Sequence, residues 1–181
     1  MIYVDIVSDT ICPWCYIGKR RFERALVASG RSDVAISWRP FQLNPDMPAE
    51  GMTRDDYVRA KFGGGDRPRQ IYQAIAESGR EAGIEFQFSR IKRTPNTVLS
   101  HRLVHWSAKV ERQDEVVGEL FKAYFEEGLD IGDRDTLVEV AVDSPADVAA
   151  LAIALRISST EGVVEPPPAI LGGGMPGCGV A

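Results

Sequence analysis

The hydrophobic positions follow a strand period at the start of the chain and a helical period soon afterwards. Apolar residues alternate with others over residues 2–7, which predicts a β-strand with one face formed by Ile2, Val4 and Ile6. Phe22 and Leu26 then lie four apart, which is typical of one helix face. The strand period returns over residues 34–39, and Pro40 ends it.

From Thr53 onwards the pattern is helical for nearly ninety residues. Capping residues, glycines and prolines divide this part into six predicted helices. Four of them cover about 53–62, 66–83, 95–111 and 114–128. A short fifth helix is capped by Asp133, and the sixth covers about 144–155. Two strands joined by a helix imply a parallel pair with a right-handed crossover. The order predicts an α/β chain with a long helical segment between its strand-rich parts.

Two cysteines lie where the first strand gives way to the first helix. Pro13 and Trp14 separate Cys12 from Cys15, and a proline is well tolerated in the first helical turn. Unpaired backbone N–H groups and the helix dipole at this point favour a Cys12 thiolate, which is the nucleophilic form. Cys15 lies about one turn away and could resolve a mixed disulfide.

The cysteine pair is also compatible with two roles outside redox chemistry. The first role is to form half of a zinc site, although the chain has only one further cysteine, Cys178, and no second C-x-x-C. A pair of buried structural cysteines is the second. The position after a first strand favours redox chemistry over both.

Composition and charge limit which kinds of partner and which cellular compartment fit this chain. The 181 residues are 44% hydrophobic, enough for one core, and 21 basic against 26 acidic residues argue against a nucleic-acid partner. We find no signal-peptide pattern and no apolar run long enough to span a bilayer. These features predict a cytoplasmic protein without a membrane partner, in which the cysteine pair is reduced or cycles.

The motif and four further segments resemble one family. Residues 9–19 read Asp-Thr-Ile-Cys-Pro-Trp-Cys-Tyr-Ile-Gly-Lys, and similar matches cover 38–45, 95–97 with 101–102, and 124–131. Together they resemble the DsbA-like thioredoxin-fold oxidoreductases, in particular the FrnE branch. That branch is similar to the 2-hydroxychromene-2-carboxylate isomerases and to the kappa-class glutathione transferases.

The resemblance implies an α/β, thioredoxin-like fold with a large helical insertion. The thioredoxin-like domain would be discontinuous, formed by residues 1–48 and 144–181, with the helical insertion domain at 49–143. Cys12 and Cys15 would be catalytic. The residues expected to bind substrate are Pro13, Trp14, Asn96, His101 and Pro167, the last at the position of the family's cis-proline.

Three residues lead to further expectations about the site. Trp14 is expected to be exposed and to pack against a substrate. His101 and His105 are spaced as metal ligands could be, but no third ligand follows by spacing, so we expect no metal.

The end of the chain departs from the family pattern. Pro166 and Pro168 replace a usual Val and Thr, and relatives continue beyond Ala181 with a helix that covers the sheet. We therefore expect residues after Ser158 to be the least ordered, and a homodimer could bury the uncovered face. Cys178, in this region, is expected to be an accidental free thiol.

Three functions are compatible with these features. The preferred one is a thiol–disulfide oxidoreductase that acts on a disulfide- or thiol-bearing substrate, protein or small molecule, without a bound cofactor and with glutathione as a conceivable co-substrate. The first alternative is a glutathione-dependent isomerase or transferase, although that group typically has Ser in place of Cys12 and lacks Cys15. The second alternative is a non-catalytic binding protein with a degenerate site.

Overall fold

A computed structural model describes residues 1–63 and 65–142. The elements in order are β1 (Ile2–Ser8), α1 (Pro13–Ser29), β2 (Val34–Pro40), β3 (Met52–Thr53), α2 (Arg54–Phe62), α3 (Arg67–Glu81), β4 (Arg93–Thr94), α4 (Val98–Ser107), a 3-10 turn (Ala108–Val110), α5 (Gln113–Lys122), a π-helical turn (Ala123–Glu127) and α6 (Arg134–Val142). The expectations for Pro167, Cys178, the helix near 144–155 and the domain segment 144–181 lie outside the described residues.

The two longer strands pair as the sequence predicts. β1 and β2 are parallel, with Ile2 opposite Val34 and Ser8 opposite Pro40, and α1 connects them. Because parallel strands end at the same edge, the carboxyl end of β1 lies beside that of β2, and the Phe41 N–H donates to the Ser8 carbonyl at 2.9 Å. The Cys12–Cys15 motif follows directly from this edge.

The helical segment packs against the β1–α1–β2 unit through a shared aromatic core. Tyr16 of α1 stacks on Phe121 of α5 with ring centroids 5.1 Å apart, and Trp38 of β2 meets Phe121 edge-on at 6.5 Å. The hydrophobic core is therefore continuous between the predicted insertion and the strand-bearing part of the chain. The proposed domain boundaries at 48 and 144 stay a prediction.

Most of the predicted helix boundaries agree with the structure, and one is wrong. Thr53 caps α2 by accepting from the Asp56 N–H, and Asp133 caps α6 by accepting from the Thr136 N–H. Pro95 was expected in the first turn of a helix, but Arg93–Thr94 forms β4 and the helix begins at Val98. The reason is tertiary: β4 pairs with β3, so the chain stays extended up to Thr94.

A buried cation fixes α1 against β2 and α5. The side chain of Lys19 is 5% exposed, and its Nζ lies 2.5 Å from Glu23 Oε1 and 2.7 Å from Asp114 Oδ2. The same Nζ lies 5.6 Å from the centre of the Trp38 ring, and Trp38 Nε1 donates to Asp114 at 3.0 Å. The group holds the helix that carries the cysteines in a fixed position on its core.

Removing this cation should destabilise the fold measurably. We expect Lys19→Ala to lower the free energy of unfolding by about 2 kcal/mol, less than for a fully buried pair because both carboxylates are partly exposed. Lys122→Ala, which removes an exposed lysine with two acidic neighbours, should change it by no more than about 0.5 kcal/mol. Urea unfolding of the wild type and the two variants measures these free energies of unfolding. An equal loss of stability in Lys19→Ala and Lys122→Ala would contradict the prediction.

Candidate active site

The backbone around Cys12 and Cys15 has the geometry expected of a helix start. Cys12 is the N-cap of α1, with extended φ and ψ of −93° and 109°, and Pro13 is the first helical residue. The Cys12 N–H donates to the Asp9 carbonyl at 3.0 Å, and the Cys12 carbonyl accepts from the Cys15 N–H at 3.1 Å. The two side chains are thereby held about one turn apart on the same end of α1.

The two thiols differ in how they face the protein. Both are free and partly buried, but only Cys15 of the two packs against the hydrophobic core. The Ser8 hydroxyl and the Asp9 backbone N–H hydrogen-bond to the Cys15 sulfur. Trp14, between the cysteines, is 52% exposed. Both thiols are buried to a similar extent, and we call Cys15, which contacts the core, the inner thiol and Cys12 the outer one.

A hydrogen bond between the two sulfurs controls their ionisation. The hydrogen bond from the Cys12 thiol lowers the pKa of Cys15 to about 7, in spite of burial, and the Ser8 hydroxyl and the Asp9 N–H lower it further. The same hydrogen bond, followed by burial, raises the pKa of Cys12 above its ordinary value. The reduced pair therefore carries a single negative charge near neutral pH.

The expectation that Cys12 has a depressed pKa and reacts first stays a prediction, because the two thiols ionise as one hydrogen-bonded pair. The helix N-terminus was expected to stabilise a Cys12 thiolate, but the inner sulfur receives more hydrogen bonds in the reduced structure. In the reduced pair the two sulfurs share one charge and one proton. Transfer of that proton along the sulfur–sulfur hydrogen bond would convert the outer thiol into the nucleophile.

A buried carboxylate lies directly beside the pair. Asp9 is 1% exposed, and its Oδ2 accepts from the Leu43 N–H at 2.7 Å. Its Oδ1 is buried and accepts no hydrogen bond from any described residue. The Asp9 charge raises the pKa of both cysteines, although it is a smaller cause than their mutual hydrogen bond.

Helix α4 reaches the loop that carries the motif. The hydroxyls of Thr10 and Ser100 are 2.8 Å apart, and the His101 Nε2 lies 3.4 Å from Asp9 Oδ1 and 3.0 Å from the Phe41 carbonyl. Since a carbonyl can only accept, the His101 Nε2 carries a hydrogen. Sequence reasoning selected His101 through the resemblance, but it missed Asp9, Ser8 and Ser100.

Of the remaining predicted site residues, Pro13 and Trp14 lie beside the thiols, whereas the Asn96 side chain is hydrogen-bonded to the backbone of the fold. Pro13 and Trp14 lie at the start of α1 beside the thiols. Both polar atoms of the Asn96 side chain hydrogen-bond to the backbone: its Nδ2 donates to the Met47 carbonyl, and its Oδ1 accepts from the Val98 N–H. Its role in substrate binding stays a prediction. Within residues 1–63 and 65–142, no group of three or more Cys, His, Asp or Glu side chains is arranged to hold a metal ion.

The fold and the site together define a thioredoxin-like protein with a dithiol at a helix N-terminus. The sequence profile of the DSBA-like thioredoxin domain matches residues 3–164. The chain therefore belongs to the DSBA-like thioredoxin domain family, and its fold is the thioredoxin-like α/β fold with a helical insertion that the resemblance implied.

Relatives and solved structures agree with this membership. Protein YwbO of Bacillus subtilis (strain 168), itself uncharacterised, is 27% identical over 165 residues, which are 90% of this chain and 76% of that one. A crystal structure of SCO1869 from Streptomyces coelicolor, named as a "probable DsbA oxidoreductase", is 26% identical with a TM-score of 0.75, covering 87% of this chain and 68% of that one. The structure of the cytosolic disulfide reductase DsbM from Pseudomonas aeruginosa with GSH is 15% identical to this chain, with a TM-score of 0.60. The match covers 88% of this chain and 73% of that one and shows that the two folds are similar.

Among the helices of the described residues, none has both the length and the apolar character needed to cross a bilayer.

The hydrogen bond from Ser8 should set the pH at which the pair becomes reactive. In the wild type, the alkylation rate should rise with pH through a midpoint of about 7, because the thiolate forms as the proton is lost. Ser8→Ala removes one donor to the thiolate and should move the midpoint upwards by about one pH unit.

Iodoacetamide kinetics with peptide mapping would measure both profiles, and Ser29→Ala at the far end of α1 is the matched control. An unchanged midpoint in Ser8→Ala would show that the hydroxyl does not stabilise the thiolate. Modification should be found on Cys12, the outer thiol, and modification of Cys178 alone would contradict the assignment.

Proposed function

We propose that this protein is a thiol–disulfide oxidoreductase that reduces or exchanges disulfides through Cys12 and Cys15. The observation that carries the proposal is the hydrogen-bonded thiol pair at the N-terminus of α1, which holds one thiolate near neutral pH. Membership of the DSBA-like thioredoxin domain family supports the same chemistry. Within that family, the motif residues resemble those of the FrnE branch.

The outer position of Cys12 makes it the attacking thiol. Its proton passes to Cys15, and the Cys12 sulfur attacks a substrate disulfide and displaces one substrate thiolate. Cys15 then loses its proton to solvent and attacks the Cys12 sulfur, which releases the second substrate thiolate and leaves a disulfide between the two cysteines. The substrate gains two electrons, and the cysteine pair loses them.

The class of substrate follows from the access to the pair. Trp14 is the large exposed apolar side chain between the thiols, and Phe41 at the end of β2 is 38% exposed. An apolar surface beside a dithiol suits a peptide segment or another thiol compound that carries a disulfide. Glutathione would regenerate the dithiol as a co-substrate, and no bound cofactor is needed for these steps. Pro167 would shape the docking edge, and His101 would line the pocket, as the resemblance implies.

The cytoplasm is the compartment that fits best. A dithiol in a reducing compartment is kept reduced and can act as a reductant, and the fold is shared with a cytosolic disulfide reductase. Disulfide reduction or isomerisation in the cytoplasm is therefore the direction that we propose.

Separate serine variants should distinguish the roles of the two cysteines. Cys15→Ser should trap a mixed disulfide on Cys12, because attack remains and the thiol that releases the adduct is gone. Cys12→Ser should abolish turnover of a model disulfide, and Cys178→Ser should leave it unchanged.

Mass spectrometry of the adduct and a turnover assay would read out the three variants. The glutathione-dependent isomerase alternative gives the opposite result, with Cys15→Ser nearly silent and no adduct. A wild type without any turnover would favour the non-catalytic binding protein.

The reduction potential should place the pair among reductases or isomerases. Trp14 carries no charge that would stabilise a Cys12 thiolate, whereas relatives with His at this position gain such stabilisation and become stronger oxidants. We expect a potential of roughly −180 to −270 mV, and Trp14→His should make it more oxidising. Equilibration with glutathione buffers measures both proteins, and a wild-type potential near about −120 mV would contradict the expectation.

A further inference from the structure

Helix α4 holds the motif loop, which we define as residues 9–12, through a pair of buried hydroxyls. The hydroxyls of Thr10 and Ser100 are 2.8 Å apart, and the two residues are 3% and 0% exposed. Because the Ser100 hydroxyl already donates to the Thr97 carbonyl at 2.9 Å, Thr10 is the donor within the pair. The motif loop is thereby hydrogen-bonded to α4 two residues before Cys12.

The next residue of α4 holds the docking segment, which we define as residues 41–43. The His101 Nε2–H donates to the Phe41 carbonyl at 3.0 Å. The docking segment is also joined to the motif loop, because the Leu43 N–H donates to Asp9 Oδ2 at 2.7 Å. The motif loop, the docking segment and α4 therefore form a closed ring of hydrogen bonds.

Hydrogen bonds rather than apolar packing fix the two loops against α4 at this point. Thr10 and His101 line the same small cavity, so the space beside their hydrogen bonds is not filled by packed side chains. Burying polar groups costs free energy that an apolar pair would not, and a fully bonded polar group specifies a position more than it adds stability. The position matters here, because the motif loop carries Cys12 and the docking segment carries the exposed Phe41 ring.

We propose that Thr10 and His101 are positioning residues that set the separation of the motif loop and the docking segment, so that a peptide disulfide fits across Cys12. This role rests on the proposed oxidoreductase function and deepens it, because it names residues that favour a peptide over a small disulfide. A peptide contacts both loops while its disulfide reacts, whereas a small disulfide needs access to Cys12 alone. A shift of one loop by about 1 Å is enough to weaken such a fit.

A charged neighbour of His101 requires a separate readout. The His101 Nε2 lies 3.4 Å from Asp9 Oδ1, and the Asp9 charge acts on both cysteines. Replacing His101 could therefore change the reactivity of the thiols through Asp9. The bond between Thr10 and Ser100 contains no charged group. Agreement between variants of Thr10 and His101 would thus identify positioning, and the alkylation midpoint of each variant reports on the thiols themselves.

The test measures binding and reactivity separately in the full chain. Reduced protein is mixed with increasing concentrations of a disulfide, and the loss of its free thiols with time gives a half-saturating concentration and a limiting rate. One probe is a peptide with an internal disulfide flanked by apolar residues, and the other is hydroxyethyl disulfide. Thr10→Val and His101→Leu should each raise the half-saturating peptide concentration on the order of 10-fold, and slow the reaction with hydroxyethyl disulfide by no more than about 2-fold.

Matched variants distinguish positioning from a loss of stability. Thr10→Ser and His101→Gln keep a hydroxyl and an N–H donor, so both should bind the peptide nearly as the wild type does. Ser107→Ala removes another buried hydroxyl of α4, whose bond to the Val104 carbonyl stays within the helix, and it should leave both reactions unchanged. Urea unfolding identifies the folded variants, and since Thr10 and His101 hold different loops, either one tests the proposal without the other.

Three results would overturn the proposal. Wild-type peptide binding in folded Thr10→Val or His101→Leu would show that the loops do not need these bonds. An equal slowing with both probes, or a shifted alkylation midpoint in His101→Leu alone, would show an effect on the thiols instead of on position. A wild type that reacts with neither probe would contradict the oxidoreductase function itself, whereas a wild type that reacts with both upholds that function whatever the variants do.

Discussion

The hydrogen bond between the Cys12 and Cys15 thiols is the interaction on which the site depends. It forms because Cys12 is the N-cap of α1 and Cys15 lies one turn inside the helix, so that the backbone brings two sulfurs together at one helix end. It lowers the pKa of one thiol at the expense of the other, and the pair holds one charge and one proton that can move between them. A lone cysteine at the same position would have the helix dipole but no proton donor beside it.

The rest of the described structure holds this pair in place from several sides. Lys19 fixes α1 to α5 through Asp114 and to β2 through the Trp38 ring, and the aromatic core beneath Tyr16 joins the helical segment to the strand-bearing part. Thr10 and His101 connect the motif loop to α4. The helical segment therefore contributes directly to the redox site, in addition to packing beside it.

The sequence predicted those parts of the fold in which local pattern and tertiary structure agree. The alternation at Ile2, Val4 and Ile6 gave β1, and the C-x-x-C at the strand–helix junction gave the helix start. Pro95 was misplaced because pairing between β3 and β4 keeps the chain extended, which a helix-start signal does not reveal. The contact between Thr10 and Ser100 joins residues 90 apart in the chain, so no local pattern could show it. Asp9 lay within the matched motif, but its burial and its unused oxygen are visible only in three dimensions.

The central claim, that the two thiols share one proton, can be tested by an NMR titration of reduced protein labelled with ¹³C at the cysteine Cβ atoms. Both Cys12 and Cys15 signals should move together with a common midpoint near pH 7, and the second ionisation should occur only at a much higher pH. Two independent midpoints near the ordinary value for cysteine, about 8.5, would contradict the account.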